Sequence, residues 1–99
     1  MAIKVFIKRK IKNGQLQEAS RLISKTRYGA MGQKGYIASE TLTDPSDPNR
    51  ILVTSMWHEL NNWETWKNSD QRKENEAEFE KIIEGSTEYE IYNLGMKND

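Results

Sequence analysis

The segment Trp57–Arg72, WHELNNWETWKNSDQR, contains all three tryptophans and the single histidine of the 99-residue chain. It overlaps the end of the apolar run Ile51–Trp57, ILVTSMW, whose almost continuous hydrophobic character predicts a strand covered on both faces. Asn61, with Glu64 three residues later, predicts the start of a short helix, and Ser69 predicts the start of another. The segment therefore predicts a central strand followed by an interrupted helix.

The three tryptophans are expected to lie close together. Leu60, Trp63 and Trp66 are spaced three residues apart, so they share one face of a helix, and Trp57 ends the strand just before that helix. Large aromatic side chains usually fill cores, and Trp57 and Trp63 are expected to hold the helix to the sheet. Trp66 lies where the helix is interrupted, and it is the ring expected to face a cavity.

Hydrophobic periodicity assigns the other elements. In chain order, the expected elements are a strand at Ile3–Ile11, a helix from Leu16 to about Tyr28, a strand at Tyr36–Thr43, the strand Ile51–Trp57, the interrupted helix and a last strand at Glu88–Leu94. Gly29, Gly32 and Gly35 are expected to end the first helix, and Gly85 the second. Phe79, Ile82 and Ile83 are expected to form the buried side of that second helix.

This order of elements predicts an α+β fold of the ferredoxin-like βαββαβ type. Crossover connections would produce a four-stranded antiparallel sheet with helices on one side and with the first and last strands as neighbours. The length indicates one domain, residues 1–99, with an ordered core at about residues 3–94 and a C-terminal tail at residues 95–99.

The charge is balanced overall but unevenly distributed. The formal net charge is zero, which argues against a general affinity for nucleic acid or for an anionic membrane. Residues 1–35 nevertheless carry nine Lys or Arg and a single Glu. The run KRKIK at residues 8–12 allows an RNA-binding patch, but it lacks interleaved aromatics, which favours a basic strand beside acidic neighbours within the fold.

Several classes of protein are disfavoured by composition. The chain contains no cysteine, so disulfides, thiolate nucleophiles and iron–sulfur clusters are not expected. The N-terminal sequence MAIKVFIKRK does not resemble a signal peptide, and no segment is long and apolar enough to span a membrane. A cytoplasmic protein is expected.

A sheet covered by helices on one face leaves its other face free. Phe6, on the lysine-rich face of the first strand, and one side of Ile51–Trp57 would then expose apolar surface in a monomer. A homodimer is expected for this reason.

His58 could act as a catalytic base, or it could be an exposed turn residue. It follows a strand and has no carboxylate predicted to orient it, which favours the turn residue. A metal site is not expected, because the chain has no second histidine and no cysteine and its carboxylates cluster on the outside of a helix.

Four short stretches resemble one known family: FIKR at residues 6–9, QKGY at 33–36, SMW at 55–57 and NWETWKNSD at 62–70. Together, over residues 3–94, they resemble the antibiotic biosynthesis monooxygenase family, whose chains pair into dimeric α+β barrels. The family includes cofactor-free oxygenases of polycyclic phenols, quinol oxygenases, haem-degrading oxygenases, a sugar-phosphate isomerase and members of unknown activity. The resemblance gives the fold more directly than it gives the chemistry.

The resemblance allows a test for haem degradation. Trp66 matches the tryptophan of the haem-degrading branch, but Glu76 stands where that branch has the histidine that ligates iron. That branch also has an asparagine on the first strand, and the corresponding position in this chain is about Ile7. Carboxylate is a poor substitute for imidazole as a haem ligand, so haem degradation is not expected.

The resemblance implies a cofactor-independent monooxygenase acting on a small aromatic, phenolic or quinol substrate. Its pocket would lie between sheet and helices, and the candidate residues are Trp66, Ile7, Tyr28, Tyr36 and Phe79. Tyr36 or Arg27 could hold a substrate oxygen, and no general base is identified. No cofactor is expected. The alternative on the same fold is a non-catalytic dimer that binds or senses a small apolar or aromatic ligand.

Overall fold

The computed structural model describes residues 1–96, so residues 97–99 of the expected tail lie outside the described part of the chain. The elements are β1 (Ile3–Ile11), α1 (Leu16–Met31), β2 (Tyr36–Asp44), β3 (Asp47–Trp57), α2 (Leu60–Lys67), α3 (Asp70–Glu80) and β4 (Ile83–Asn93). The four strands form one antiparallel sheet in the order β2-β3-β1-β4. The ferredoxin-like α+β fold is therefore confirmed, with β1 and β4 as neighbours.

The side chains of β1 alternate between the two faces of the sheet. Ile3, Val5, Ile7 and Ile11 are buried on the face that packs against the helices, here called the inner face. The intervening side chains, mostly lysines, point to the opposite or outer face. Arg9 breaks the pattern, because it occupies an inner-face position and is only 8% exposed.

Helix α1 continues through Gly29 to Met31 and ends at Gly32, one of the three glycines expected to end it. Gly29 is buried where the helix approaches the junction of α2 and α3. A Cβ atom at this position would lie 2.5 Å from Gln71 Nε2 and 2.8 Å from Trp66 Cη2. Glycine is therefore required at position 29 by the close approach of a neighbouring ring.

The interrupted helix is confirmed, with one difference at its start. Glu59 caps α2, and its backbone N–H donates to Asn62 Oδ1 at 3.1 Å, so the helix begins before the expected Asn61. Ser69 caps α3 as predicted, because its Oγ accepts a hydrogen bond from the backbone N–H of Arg72 at 3.2 Å.

Helix α3 ends at Glu80, earlier than expected, and β4 begins at Ile83. Ile82 and Ile83 are buried as predicted, but the sheet holds them: the backbone N–H of Lys12 donates to the Ile82 carbonyl at 2.8 Å. Gly85 does not end a helix. It has a φ of +71° inside β4, next to an irregularity in the pairing with β1.

The first hairpin between neighbouring strands is also tighter than expected. Strand β3 starts at Asp47, four residues before the expected Ile51, so the turn after β2 is reduced to residues 45 and 46. Asp44 Oδ1 accepts hydrogen bonds from the backbone and the hydroxyl of Ser46 at 2.8 and 2.7 Å, which holds this turn.

The basic side chains of β1 pair with acidic side chains of adjacent strands on the outer face. Lys8 forms an ion pair with Glu90, and Lys10 forms one with Asp47. The hydrogen bond from Lys8 lowers the pKa of the Glu90 carboxyl below its ordinary value. The interpretation of KRKIK as a basic strand beside acidic neighbours is supported by these pairs. None of the helices in residues 1–96 has the length and apolar character to cross a membrane.

Candidate functional site

The three tryptophans form an aromatic layer between the sheet and the helices. Trp57, Trp63 and Trp66 are at most 2% exposed. The ring centroids of Trp57 and Trp63 are 6.1 Å apart, and Tyr36 packs edge-on against Trp57 at 5.6 Å. Tyr89 of β4 extends the layer, with its ring 6.1 Å from that of Trp63. These spacings are typical of stabilising aromatic pairs.

A small cavity lies beside this layer on the inner face of the sheet. Its volume is about 40 Å³, enough for about three water molecules. Pockets for drug-sized ligands are typically about 300 Å³ or larger, so protein side chains fill most of this interior. The deep wall of the cavity is buried, whereas Thr26, Arg27, Tyr36 and Ser39 on its other side are half-buried. These four residues form the mouth of the cavity.

Four of the five candidate pocket residues line the cavity: Ile7, Tyr36, Trp66 and Phe79. Tyr28 does not, and the expectation for it is wrong. Its side chain is 81% exposed, because it points away from the sheet on a helix turn whose neighbour Arg27 faces the cavity.

The expected contrast among the tryptophans is not seen. Trp57 and Trp63 were expected only to pack, and Trp66 alone to face a cavity, but all three rings line it. They converge because the end of β3 and one side of α2 meet over the same part of the sheet.

Two buried arginines line the deep end of the cavity, and both pair with one carboxylate that is not part of its lining. Arg9 from β1 and Arg72 from α3 both contact Oε1 of Glu76, the first in a short ion pair and the second at 3.0 Å. The guanidinium carbon of Arg9 lies 3.9 Å from the ring centroid of Phe79, and that of Arg72 lies 5.0 Å from the ring centroid of Trp63. Both cations are thus stacked on aromatic walls.

The hydrogen bonds of these two arginines reach β4. Arg72 donates from a terminal nitrogen to the Tyr89 hydroxyl at 2.9 Å, and Arg9 donates from Nε to the Thr87 hydroxyl at 3.3 Å. Burial lowers the pKa of the Arg9 guanidinium from its ordinary value, and the neighbouring Glu76 opposes that shift. Glu76 stands where the haem-degrading branch has its iron-ligating histidine. Its carboxylate is therefore engaged in ion pairs with both arginines.

Sequence reasoning missed Arg9 and Arg72. A signal was present for each: Arg9 shares the odd-numbered phase of the apolar residues in β1, and Arg72 lies four residues before Glu76 on a helix. Their joint role was not visible, because Arg9 and Glu76 are 67 positions apart.

A chain of hydrogen bonds crosses the mouth of the cavity. Arg27 of α1 donates from Nε to the Ser39 hydroxyl at 2.8 Å and also bonds the Thr41 hydroxyl, both on edge strand β2. The hydroxyls of Tyr36 and Ser39 are 2.8 Å apart. Arg27 therefore joins a helix to the sheet edge where the lining is half-exposed.

In the described part of the chain, His58 and the acidic side chains form no second site. His58 is exposed after β3, and its backbone N–H donates to the Gly35 carbonyl at 2.8 Å. Within residues 1–96, no three His, Asp or Glu side chains converge as a metal site would require.

Comparison with known proteins gives the family and the fold. Among proteins with curated descriptions, none matches the sequence significantly. A conserved protein from Methanosarcina mazei Go1 has a similar structure, with a TM-score of 0.89, 21% sequence identity and coverage of 96% of this chain and 94% of that chain. A putative antibiotic biosynthesis monooxygenase from Nitrosomonas europaea has a TM-score of 0.88 at 10% identity, with 94% and 89% covered.

SnoaB from Streptomyces nogalater, described as a cofactor-independent oxygenase, has a TM-score of 0.83 at 11% identity, with 98% of this chain and 97% of that chain covered. At such low identities these structures establish a shared fold. The family model for antibiotic biosynthesis monooxygenase matches residues 2–77, well over half of the sequence. The chain therefore belongs to the antibiotic biosynthesis monooxygenase family.

Proposed function

We propose that this protein is a cofactor-independent monooxygenase that oxidises a small aromatic, phenolic or quinol substrate with O₂. The observation that carries the proposal is the inner cavity, with aromatic walls formed by Trp57, Trp63 and Trp66 and with cations at its deep end. Family membership and a fold shared with a cofactor-independent oxygenase support it.

The reaction requires little from the protein beyond this environment. A bound phenol loses its proton, and the electron-rich anion reduces O₂; one oxygen atom becomes a ring carbonyl and the other leaves as water. The substrate supplies all the electrons. Buried apolar walls exclude water, and fixed cations favour the charged form of the substrate. Tyr36 and Arg27, at the mouth, would hold a second substrate oxygen.

The cavity must enlarge to admit a ring. An engineered cavity of about 150 Å³ holds benzene, which is several times the volume of about 40 Å³ found here. Enlargement requires the smallest structural change at the half-buried mouth. Moving α1 away from β2 there breaks the hydrogen bonds of Arg27 to Ser39 and Thr41 without disturbing the sheet.

Oxygen consumption tests the proposed activity. We expect the purified protein to accelerate O₂ uptake with at least one member of a panel of phenols and quinols, with EDTA present and no metal or flavin added. Trp66→Phe should slow this uptake, because it reshapes the aromatic wall, whereas the exposed His58→Ala should not change it. Uptake at the protein-free rate for every compound would contradict the proposal.

A non-catalytic ligand-binding dimer is the second candidate, favoured by one observation. The described residues lining the cavity include no Asp, Glu or His, so no ordinary general base faces it. Ligand binding without O₂ uptake would support this candidate. Haem degradation is disfavoured by the ion pairs of Glu76, and a hemin titration without a Soret shift would agree with that.

We also propose that two copies associate through the outer face of the sheet. This face carries Phe6 and Tyr92, whose ring centroids are 5.5 Å apart, and it also carries Leu42. Leu42 and Tyr92 are 45% and 54% exposed. Exposed apolar side chains beside paired charges, as on this face, favour a self-complementary interface. We expect wild-type protein to sediment as a dimer at micromolar concentration and Leu42→Asp to weaken it. A single 11.6 kDa species for the wild type would contradict the dimer.

A further inference from the structure

The deep end of the cavity holds one more positive charge than negative. The side chains of Arg9 and Arg72 are 5% and 4% exposed, and each carries a guanidinium, a group that keeps its positive charge in proteins. Glu76, with a side chain 19% exposed, balances only one of them. An unbalanced charge away from water is unfavourable, and an opposite charge brought beside it relieves the penalty.

Arg72 also has a donor without a partner. Its terminal nitrogen is bonded to Tyr89 and Glu76, but its Nε has no hydrogen-bond partner among the described residues. The residue is 3% exposed and lines the cavity. Across the cavity, the hydroxyl of Thr26 on α1 is likewise buried and unpartnered within residues 1–96. A buried donor of this kind ordinarily has an acceptor.

We propose that the cavity binds ligands through an anionic oxygen, so that its ligand is a small aromatic anion, such as an aromatic carboxylate or a phenolate. The anionic group occupies the deep end, where Arg72 Nε donates to it and the surplus charge of Arg9 and Arg72 attracts it. The volume of about 40 Å³ suits such a group, and the ring lies toward the mouth, beside Tyr36 and Trp57. The inference rests on the proposed function only in taking this cavity to be the ligand site.

Benzoate and benzamide make a matched pair of probes, because they are nearly equal in shape and differ in charge. By titration calorimetry at pH 7 and fixed ionic strength, we expect the wild type to bind benzoate at least about tenfold more tightly, the ratio that about 1.4 kcal/mol provides. Equal affinities, or no binding of benzoate, would overturn the inference.

Charge variants should move the preference in opposite directions. Arg72→Met removes the surplus charge and the free donor, so the preference for benzoate should disappear. Glu76→Gln raises the surplus, so benzoate should bind more tightly and should raise the melting temperature more than in the wild type. Arg50→Met is the control, because Arg50 has a side chain 65% exposed, pairs with Asp44 and lies outside this cavity; it should leave the preference unchanged.

These readouts need no turnover, which separates them from the oxygenase proposal. A preference for benzoate that survives Arg72→Met, or that falls in Glu76→Gln, would overturn the inference even if O₂ uptake is observed. An absence of O₂ uptake together with the expected preference would contradict the oxygenase alone. If Arg72→Met does not fold, the wild-type comparison and Glu76→Gln still decide the question. A phenolate ligand is distinguished from a carboxylate by affinity that rises as pH passes the phenol's own pKa.

Discussion

Glu76→Gln is expected to lower the free energy of unfolding by about 3 kcal/mol, because it leaves two buried guanidiniums without a counter-charge. Arg9 and Arg72 share one oxygen of this carboxylate, so a single change removes both ion pairs. In a domain of this size the loss corresponds to a fall of roughly 12 to 24 °C in melting temperature. Urea unfolding and a thermal melt at pH 7 would measure it.

Glu74→Gln is the matched control, since Glu74 lies on the same helix but is exposed. Its effect should stay within about 0.5 kcal/mol. Replacing Arg9, Arg72 and Glu76 together by Met, Met and Leu should be less destabilising than Glu76→Gln alone, because no buried charge is then left unpaired. Similar unfolding of Glu76→Gln and Glu74→Gln would show that the cluster is not held by this carboxylate.

Gly35→Ala is expected to lower the free energy of unfolding by about 3 kcal/mol, and this loss has two sources. Gly35 has a φ of +83°, in the left-handed region that side chains disfavour by about 1 kcal/mol or more. A Cβ atom there would also overlap the side chain of Asn62, lying 2.7 Å from its Cβ. Asn62 would have to move, and with it the hydrogen bond that its Oδ1 accepts from Glu59 at the start of α2.

Gly14→Ala separates the two sources. Gly14 has a φ of +82°, but a Cβ atom there would meet nothing within 4 Å. It should therefore lose only the conformational part, about 1 kcal/mol. Chemical denaturation of both variants gives the difference, and far-ultraviolet circular dichroism of Gly35→Ala should show a small loss of helix. Equal destabilisation of the two variants would mean that Asn62 adapts without penalty.

Much of the fold could be predicted from local sequence patterns. Alternation in Ile3–Ile11 identified β1, and Ser69 identified the start of α3, because both signals are contained within a few residues. Ile82 and Ile83 were misplaced, since two adjacent apolar residues suit a helix or a strand equally. Their assignment depends on backbone pairing with Lys12, 70 positions away in the chain.

The candidate site was less predictable than the fold, for the same reason. The tryptophans could be identified from the sequence by their residue type, and they do line the cavity. Its electrostatic character comes from Arg9, Arg72 and Glu76, which lie on two elements that only the folded sheet brings together. Gly29 is a similar case: a glycine in a helical pattern predicts a helix end, and only the adjacent Trp66 ring explains why a glycine stands inside this helix.

The hydrogen bonds that Arg27 makes across the mouth have a kinetic consequence. They are side-chain bonds at a half-exposed position, and the backbone pairing of β2 with β3 does not depend on them. Side chains at such positions reorient in nanoseconds or faster, whereas opening a sheet takes far longer. A ligand of the kind proposed above would therefore exchange without unfolding of the domain, and its residence time should be governed by its own affinity and by the helix shift that makes room for it.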